Sequence, residues 1–398
     1  MNMRRRKRER NPLPAGVAGG ARSGDRVLFI LLTFAIPLAF LGQHLVQLYP
    51  FVDDVSWERS YGDDWLTFDR FAKSILHDGV LLPAAPGNYA RPGGILYSFF
   101  VAAIYRVSGE NPSFVYVAQG LLLGCAAVAM GWAFRRYHTD RSALIVLVLL
   151  AVYAYLDVSR WYTKKLLSEN LLIALIPWFY LVLIGAWEER SRIRMVLAGC
   201  LLGLCVLARP NVLLAGPAIA IVILLFLRNR RKEAVALTGL FLAGFVLAQT
   251  PLFARNVIVT GGEISAGTFS PAFAFTRDWL PGNQRSIAGP AETRRPPAWR
   301  RYLDRSLYSA GITEYGIVWR WVIMNLMVLA LIVLSVKQRR IEFWEAALLA
   351  FAVAYLLPIV PLGGIRTYGV RMILPAIPTL LVLAFRGLVR AWEEIAGR

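Results

Sequence analysis

Eleven apolar stretches alternate with short polar links along the chain, and this pattern predicts a bundle of long helices. The stretches fall at about 27–50, 92–108, 112–134, 142–159, 170–187, 193–208, 211–227, 234–252, 317–336, 343–361 and 370–390. Most of them approach the roughly 20 residues that an α-helix needs to cross the hydrocarbon core of a bilayer. We therefore predict an all-α integral membrane protein with one membrane domain.

The stretch at 92–108 is the weakest of the eleven, because it starts at a proline and carries two tyrosines, a serine and an arginine. If this stretch crossed the membrane, the later basic links would fall on the side opposite the basic N-terminus. That arrangement would contradict the positive-inside rule. We therefore predict that 92–108 is interfacial or re-entrant, that ten helices cross, and that both termini are cytoplasmic.

Composition supports this topology and changes the interpretation of the charge. The 398 residues are 57% hydrophobic and 17% charged, and the formal net charge is +19. In a soluble protein such a charge would suggest nucleic acid, but here Lys and Arg cluster in the links at 135–141, 188–194, 228–232 and 337–340. Clusters of that kind set topology, so no nucleic-acid partner is expected.

The topology divides the chain into a tail and a membrane domain. Residues 1–26 are rich in Arg, Gly, Pro and Ala, which predicts a disordered, basic cytoplasmic tail. The polytopic domain would span 27–398, with large outward loops at 51–111 and 253–316. Function is expected in these loops, where a lipid-borne substrate can meet a soluble one.

The first outward loop is unusually acidic. Its acids are Asp53, Asp54, Glu58, Asp63, Asp64, Asp69 and Asp78. From Asp64 onward the apolar spacing predicts an amphipathic helix on the membrane surface, and carboxylates at its start could simply cap it. Other outward segments supply Lys164, Lys165, Glu169, Arg209, Arg255, Arg366 and Arg371. Carboxylates suit proton transfer or a metal ion, and arginines suit phosphate.

A series of motifs resembles the C-type glycosyltransferases (GT-C) that use polyprenyl-phosphate sugars, such as protein O-mannosyltransferases and aminoarabinose transferases. The motifs are GDDWLTFDRFAKSILHDG, NYARPGGILYSFFVAAIYRVSG, LLSENLLIAL, LARPNVLL, PLFARNVIVTGGEISAGT and IRTYGVRMILPAIP, in that order. The resemblance implies a GT-C-like bundle with juxtamembrane helices in the first outward loop. It also implies a lipid-linked sugar donor and a lipid, glycan or protein acceptor.

The resemblance implies roles for the outward residues. Asp64 would be the catalytic base that takes the proton of the acceptor, with Asp63 as the close second and Glu169 as a partner. The departing lipid phosphate would be bound by Arg255, Arg366 and Arg371, helped by Lys164 and Lys165. For any one of these arginines, snorkelling to the interface is an equal alternative, and Arg209 is the weakest candidate.

The sequence alone leaves open whether a metal is bound and whether the protein is an enzyme or a transporter. A divalent metal such as Mg²⁺ or Mn²⁺ could be held by Asp63 and Glu169, since the superfamily contains both metal-dependent and metal-independent members. A transporter or flippase for a lipid-linked or anionic solute is the main alternative function. The resemblance also implies a bacterial cytoplasmic membrane, with the active site facing the periplasm or exterior.

Overall fold

The computed structural model describes residues 23–48, 63–77, 94–155, 166–260, 312–313, 316–317, 319–338, 340–362 and 373–396. Each of the eleven apolar stretches coincides with a helix, and the amphipathic helix expected near Asp64 is also present. The predicted all-α membrane fold is therefore confirmed. Residues 1–22 of the predicted tail and large parts of both outward loops lie outside the described residues.

Twelve α-helices occur in the described residues: α1 Ser23–Leu48, α2 Asp63–His77, α3 Ile95–Ser108, α4 Pro112–Arg135, α5 Asp140–Tyr153, α6 Ser168–Glu189, α7 Arg192–Ala208, α8 Ala215–Phe226, α9 Arg231–Thr260, α10 Trp319–Lys337, α11 Phe343–Leu362 and α12 Ile377–Ile395. Short 3-10 turns at Pro210–Val212 and Leu374–Ala376 precede α8 and α12. The strands β1 Ile312–Thr313 and β2 Gly316–Ile317 form a small antiparallel pair.

Within the described residues, five helices are long and apolar enough to cross a membrane: Gly24–Val46, Pro112–Arg135, Ser168–Glu189, Arg231–Ala254 and Leu374–Ile395. Four more apolar helices are shorter: Ile95–Ser108, Pro210–Phe226, Val322–Lys337 and Phe343–Leu357. Large apolar side chains such as Phe34 and Val336 are exposed on the bundle, as expected for a surface that faces lipid. The number of ten crossings stays a prediction.

One end of the bundle gathers the basic links, and we call it the basic end. Four contacts join these helix ends: Arg135 with the Phe29 ring, Arg136 with Glu188, Arg190 with Glu233, and Trp187 with Phe343. The link after α10 lies there too, because the Arg390 guanidinium donates to the backbone carbonyl of Arg340. The basic links thus share one end, as the charge pattern predicted.

The opposite end contains the first residues of α3, α6 and α12 and the last residues of α5 and α7. Tyr153 at the end of α5 donates to the carbonyl of Leu374, 3.0 Å away, just before α12. Gly94 at the start of α3 lies against Ala208 at the end of α7. Because α4 starts only four residues after α3 and runs to the basic end, α3 also finishes here. Both ends of α3 therefore share one end of the bundle, in agreement with the prediction that 92–108 does not cross.

Helices α7 and α9 pack with their backbones in contact. A Cβ atom added at Gly199 of α7 would lie 2.0 Å from the carbonyl oxygen of Phe241 in α9. A Cβ at Gly244 would lie 2.2 Å from the carbonyl oxygen of Val196. Small residues permit this close approach of membrane helices. The pairing fixes the end of α7, and with it Arg209, relative to α9.

Candidate active site

Four helices meet at Gly94, where a positive φ of 89° starts α3. A Cβ there would lie 2.8 Å from the carbonyl oxygen of Ala208, 2.9 Å from Cβ of Ser168 and 3.3 Å from a ring carbon of Phe68. Glycine tolerates this backbone conformation and leaves room for the neighbouring helices. We call the meeting point of α2, α3, α6 and α7 at these four residues the Gly94 junction.

The predicted acid Glu169 is buried at this junction, in the first turn of α6, with 1% of its surface exposed. The Arg209 guanidinium, directly after α7, lies with Nη2 2.9 Å from Oε1 of Glu169. Its Nη1 lies 3.4 Å from Oγ of Ser168, and that hydroxyl donates to Oε2 of Glu169 over 3.3 Å. The ion pair ties the start of α6 to the end of α7 and keeps the buried carboxylate beside a cation.

The structure places Arg209, the weakest of the sequence candidates for phosphate, against Glu169, and its role toward phosphate stays a prediction. In the sequence, Arg209 directly follows an apolar run and precedes Pro210, which indicates a position at the end of a helix. Helix ends often carry arginines that only reach for the interface. Arg209 instead turns inward, and its side chain is only 13% exposed.

A polar contact chain at the junction involves residues that sequence reasoning missed. The Tyr97 hydroxyl of α3 donates to Oε1 of Gln119 in α4 over 2.7 Å, and the side-chain amide of Asn170 in α6 donates to the same oxygen over 3.1 Å. The Phe68 ring meets the Tyr97 ring edge-on at 4.9 Å. Gln119 and Asn170 could have been singled out in the sequence, because amide side chains inside apolar stretches need hydrogen-bond partners when they are buried.

Asp69, one of the acids of the first outward loop, holds α2 on α3. It is 7% exposed, accepts a 2.6 Å hydrogen bond from the Tyr105 hydroxyl and lies 2.9 Å from Nζ of Lys73. Burial, followed by the bond to Asp69, raises the pKa of Tyr105 far above its ordinary value, so the hydroxyl stays a donor. At the far end of α2, His77 contacts Glu110. Asp69 therefore anchors α2.

The predicted bases Asp63 and Asp64 are the first two residues of α2. Their side chains are not among the described atoms, so their roles stay predictions. Position 64 lies one helical turn before Phe68 on the same face of α2, and Phe68 is buried at the Gly94 junction. The backbone of α2 thus brings position 64 toward the end of the bundle that contains Glu169.

The helix that carries Arg255 also reaches this end. Leu252 packs in a buried cluster with Phe71, Ile95 and Leu207 from α2, α3 and α7. Arg255 follows three residues later in α9, which continues beyond the predicted boundary at residue 252. Its side chain lies outside the described atoms, so phosphate binding by Arg255 stays a prediction.

Four predicted cationic residues lie outside the described residues: Lys164, Lys165, Arg366 and Arg371. The helix ends that flank them are described. Segment 156–165 connects the end of α5 to the start of α6, and segment 363–372 connects the end of α11 to the start of α12. These flanking helix ends all lie opposite the basic end.

A metal site is not visible among the described residues, where no three His, Cys, Asp or Glu side chains cluster. The proposed metal ligand Glu169 already faces a guanidinium 2.9 Å away. That cation opposes a divalent ion on the same carboxylate. The side chain of Asp63 lies outside the described atoms, so a metal held by Asp63 and Glu169 stays a prediction.

Comparison with known families agrees with the resemblance drawn from the motifs. Residues 91–253 match a family described as dolichyl-phosphate-mannose-protein mannosyltransferase, a family of GT-C type. The match covers helices α3 to α8 and most of α9, and it includes Gly94, Glu169 and Arg209. A comparison with curated proteins finds no match. The family match supports a multi-pass membrane glycosyltransferase that uses a polyprenyl-phosphate sugar donor.

Proposed function

Because residues 91–253 are similar to this glycosyltransferase family, we propose that the chain transfers a sugar from a polyprenyl-phosphate or pyrophosphate donor to a cell-envelope acceptor by inverting direct displacement. The observation that carries the proposal is the Glu169–Arg209 pair at the Gly94 junction, inside the matched segment. There α2, which begins with Asp63 and Asp64, meets α6, which carries Glu169.

Asp64 is the proposed catalytic base. Its carboxylate takes the proton of the acceptor hydroxyl while that oxygen forms a bond to the anomeric carbon of the sugar. Position 64 shares a face of α2 with buried Phe68. Position 63 is rotated from position 64 by about 100° around the helix axis. This helical geometry favours Asp64 over Asp63.

Glu169 orients a substrate group rather than acting as a second base. Its carboxylate is held in place by Arg209, 2.9 Å away, and by the hydroxyl of Ser168, which donates to it. A carboxylate held in this way can accept a hydrogen bond from a hydroxyl of the donor or the acceptor and orient it. No step of the proposed reaction passes through a metal ion.

The leaving group needs positive charge. When the bond between the anomeric carbon and the phosphate oxygen breaks, the lipid phosphate departs as an anion. Arg255, Arg366 and Arg371, with Lys164 and Lys165, would stabilise that charge. Support comes from the flanking helix ends, which lie at the same end of the bundle as Glu169. By the positive-inside rule this end would face the periplasm or exterior.

The test is an assay of the purified protein in detergent with a panel of polyprenyl-phosphate sugars, following release of polyprenyl phosphate. Asp64→Asn should lower the release rate by about 10²- to 10⁴-fold, the usual contribution of a general base. Its melting temperature should stay near the wild-type value. The matched control is Asp69→Asn on the same helix, which should lower the melting temperature because it removes the negative charge that pairs with Lys73.

Two results would contradict the assignment. Full activity of Asp64→Asn together with an inactive Asp63→Asn would move the base to Asp63. No release from any donor, together with solute flux in vesicles that contain the protein, would favour the transporter or flippase. The buried Glu169 and Glu345 lie in the first turns of α6 and α11, near helix ends, which suits chemistry at an interface more than a mid-membrane transport site.

A further inference from the structure

Two basic links meet at the basic end and form one surface. The link between α6 and α7 and the link between α8 and α9 are joined by Glu233. Its Oε1 lies 3.6 Å from Nε of Arg190, and its Oε2 lies 3.5 Å from Nη1 of Arg230. We call residues 188–194 and 228–233 the basic patch.

The basic patch has an excess of positive charge. It contains seven cationic side chains, Arg190, Arg192, Arg194, Arg228, Arg230, Arg231 and Lys232, and three acidic ones, Glu188, Glu189 and Glu233, which leaves an excess of four positive charges. Two of the acids are also engaged, since Glu188 pairs with Arg136 and Glu189 with Arg194. The surface therefore favours an anion.

Arg190 is held in an unusual conformation at the centre of the patch. Its φ of 52° is left-handed, and it is the one non-glycine residue with positive φ among those described. The guanidinium lies 4.0 Å from the centre of the Trp187 ring, and its Nη1 has no hydrogen-bond partner in the described part of the chain. This left-handed conformation ends α6, where the backbone N–H of Arg190 donates to the carbonyl oxygen of Ala186. Next to it, residues 228–233 border an open, shallow groove.

Exposed apolar side chains lie close to the patch along the chain. Ile193, Leu225 and Val235 are 75%, 62% and 67% exposed, and they lie in α7, α8 and α9 within a few residues of the cationic side chains. A ligand that fills this place must combine an anionic head with an apolar body.

We propose that the basic patch binds the phosphodiester headgroup of an anionic phospholipid, with its acyl chains along Ile193, Leu225 and Val235. Guanidinium groups bind phosphate oxygens in pairs, which suits a patch built mainly of arginines. The site lies at the end of the bundle opposite Glu169 and does not depend on the proposed transferase activity.

The experiment titrates the delipidated full-length protein in a neutral detergent with phosphatidylglycerol and counts bound lipid by native mass spectrometry. Phosphatidylcholine with the same acyl chains and inorganic phosphate are titrated in parallel. Arg190→Gln combined with Arg231→Gln should lower the affinity for phosphatidylglycerol about thirtyfold, because each cation near an anionic headgroup contributes roughly a factor of five.

The matched control is Arg26→Gln combined with Arg141→Gln, which removes the same charge outside the patch and should change the affinity less than about threefold. If Arg190→Gln prevents folding, Arg231→Gln with Lys232→Gln replaces it, since both side chains are exposed. Equal losses in patch and control variants would overturn the proposal, as would equal binding of phosphatidylcholine. Inorganic phosphate that binds as tightly as the lipid would overturn the assignment to a phospholipid.

Discussion

Glu169 and Glu345 are both buried in the first turn of a long helix, yet their surroundings differ. Glu169 of α6 pairs with Arg209 at the Gly94 junction. Glu345 of α11 lies at the basic end, close to Phe343, whose ring stacks on Trp187. The 18 residues from Glu169 to Trp187 span about 27 Å of helix. The two carboxylates thus mark opposite ends of the bundle.

The surroundings of Glu345 form a dense network. Arg390, itself 3% exposed, donates to both oxygens of Glu345 over 2.8 and 2.6 Å, and Arg386 donates to Oε1 over 2.8 Å. The backbone N–H of Glu342 donates to Oε2 over 2.9 Å. Arg390 also bonds Ser335 of α10, so the network ties together α10, α11 and α12.

The difference separates a structural role from a functional one. At the basic end one carboxylate satisfies two arginines and locks three helices outside the segment that matches the glycosyltransferase family. At the opposite end, the pair lies beside α2, within the segment that matches the family. We expect changes at Glu345 to act on stability, and changes at Glu169 and Arg209 to act on transfer.

Glu345→Gln should have the largest effect on stability. It leaves two arginines without their shared carboxylate, and breaking a buried ion pair costs about 3–5 kcal/mol. The melting temperature in detergent measures this loss. Glu342→Gln, whose side chain is 44% exposed, is the control and should cost less than about 1 kcal/mol. Equal stability of the two variants would contradict the structural role of Glu345.

Arg209→Gln should lower the transfer rate about 10- to 100-fold, because misplacing a positioned group by an ångström costs rate on that scale. Glu169→Gln should behave similarly. The double variant should regain part of the melting temperature lost in the single variants, since no buried charge is left unpaired, but its transfer rate should stay as low as theirs. Wild-type transfer by the double variant would show that the pair only supports the fold.

A pH titration should sharpen the comparison through His138, in the link between α4 and α5. Burial, and then Arg386 and Arg390, lower its pKa from 6.5 to about 3, and its Nε2 has no hydrogen-bond partner in the described residues. Because the unfolded chain binds this proton more readily, stability is complete above pH 6.5 and falls as the pH approaches 3. At pH 5 the loss should be about 2 kcal/mol.

The control for this titration is His138→Phe, which keeps the stacking on Phe134 but cannot bind a proton. Its melting temperature should depend less on pH between 7 and 5 than that of the wild type. The same pH dependence in both proteins would mean that other groups cause it. Transfer chemistry at the opposite end should not follow this titration.

The helices and their arrangement at the two ends of the bundle could be predicted from the sequence. Apolar stretches predicted every long helix, because burial in lipid requires the length and composition that the chain displays. The basic links predicted which helix ends lie together. Two observations predicted that both ends of α3 lie on one side: the weak apolar pattern of 92–108, and the requirement that the basic links share the side of the N-terminus.

Pairings between distant residues were beyond reach. Arg209 follows Glu169 by 40 residues, and their contact depends on how α6 and α7 pack around Gly94. Asp69 was counted among seven acids, but its hydroxyl donor lies 36 residues away. Helix α9 continues to Thr260, past the apolar stretch that ends at residue 252. It contains Pro251, which membrane helices tolerate when neighbours satisfy the freed backbone groups.

Gly94→Ala should have the smallest effect of the series on stability and a clear effect on transfer. A methyl group there would lie 2.8 Å from the carbonyl oxygen of Ala208, so α3 must shift away from α6 and α7 at a cost of about 1–2 kcal/mol. Gly109, at the other end of α3, also has a positive φ, of 81°, but a Cβ there meets nothing within 4 Å. Gly109→Ala therefore adds backbone strain without displacing the junction. The transfer rate is measured in both variants at equal folded fraction. It should fall for Gly94→Ala and stay near the wild-type value for Gly109→Ala. Equal rates in the two variants would show that the Gly94 junction is not part of the active site.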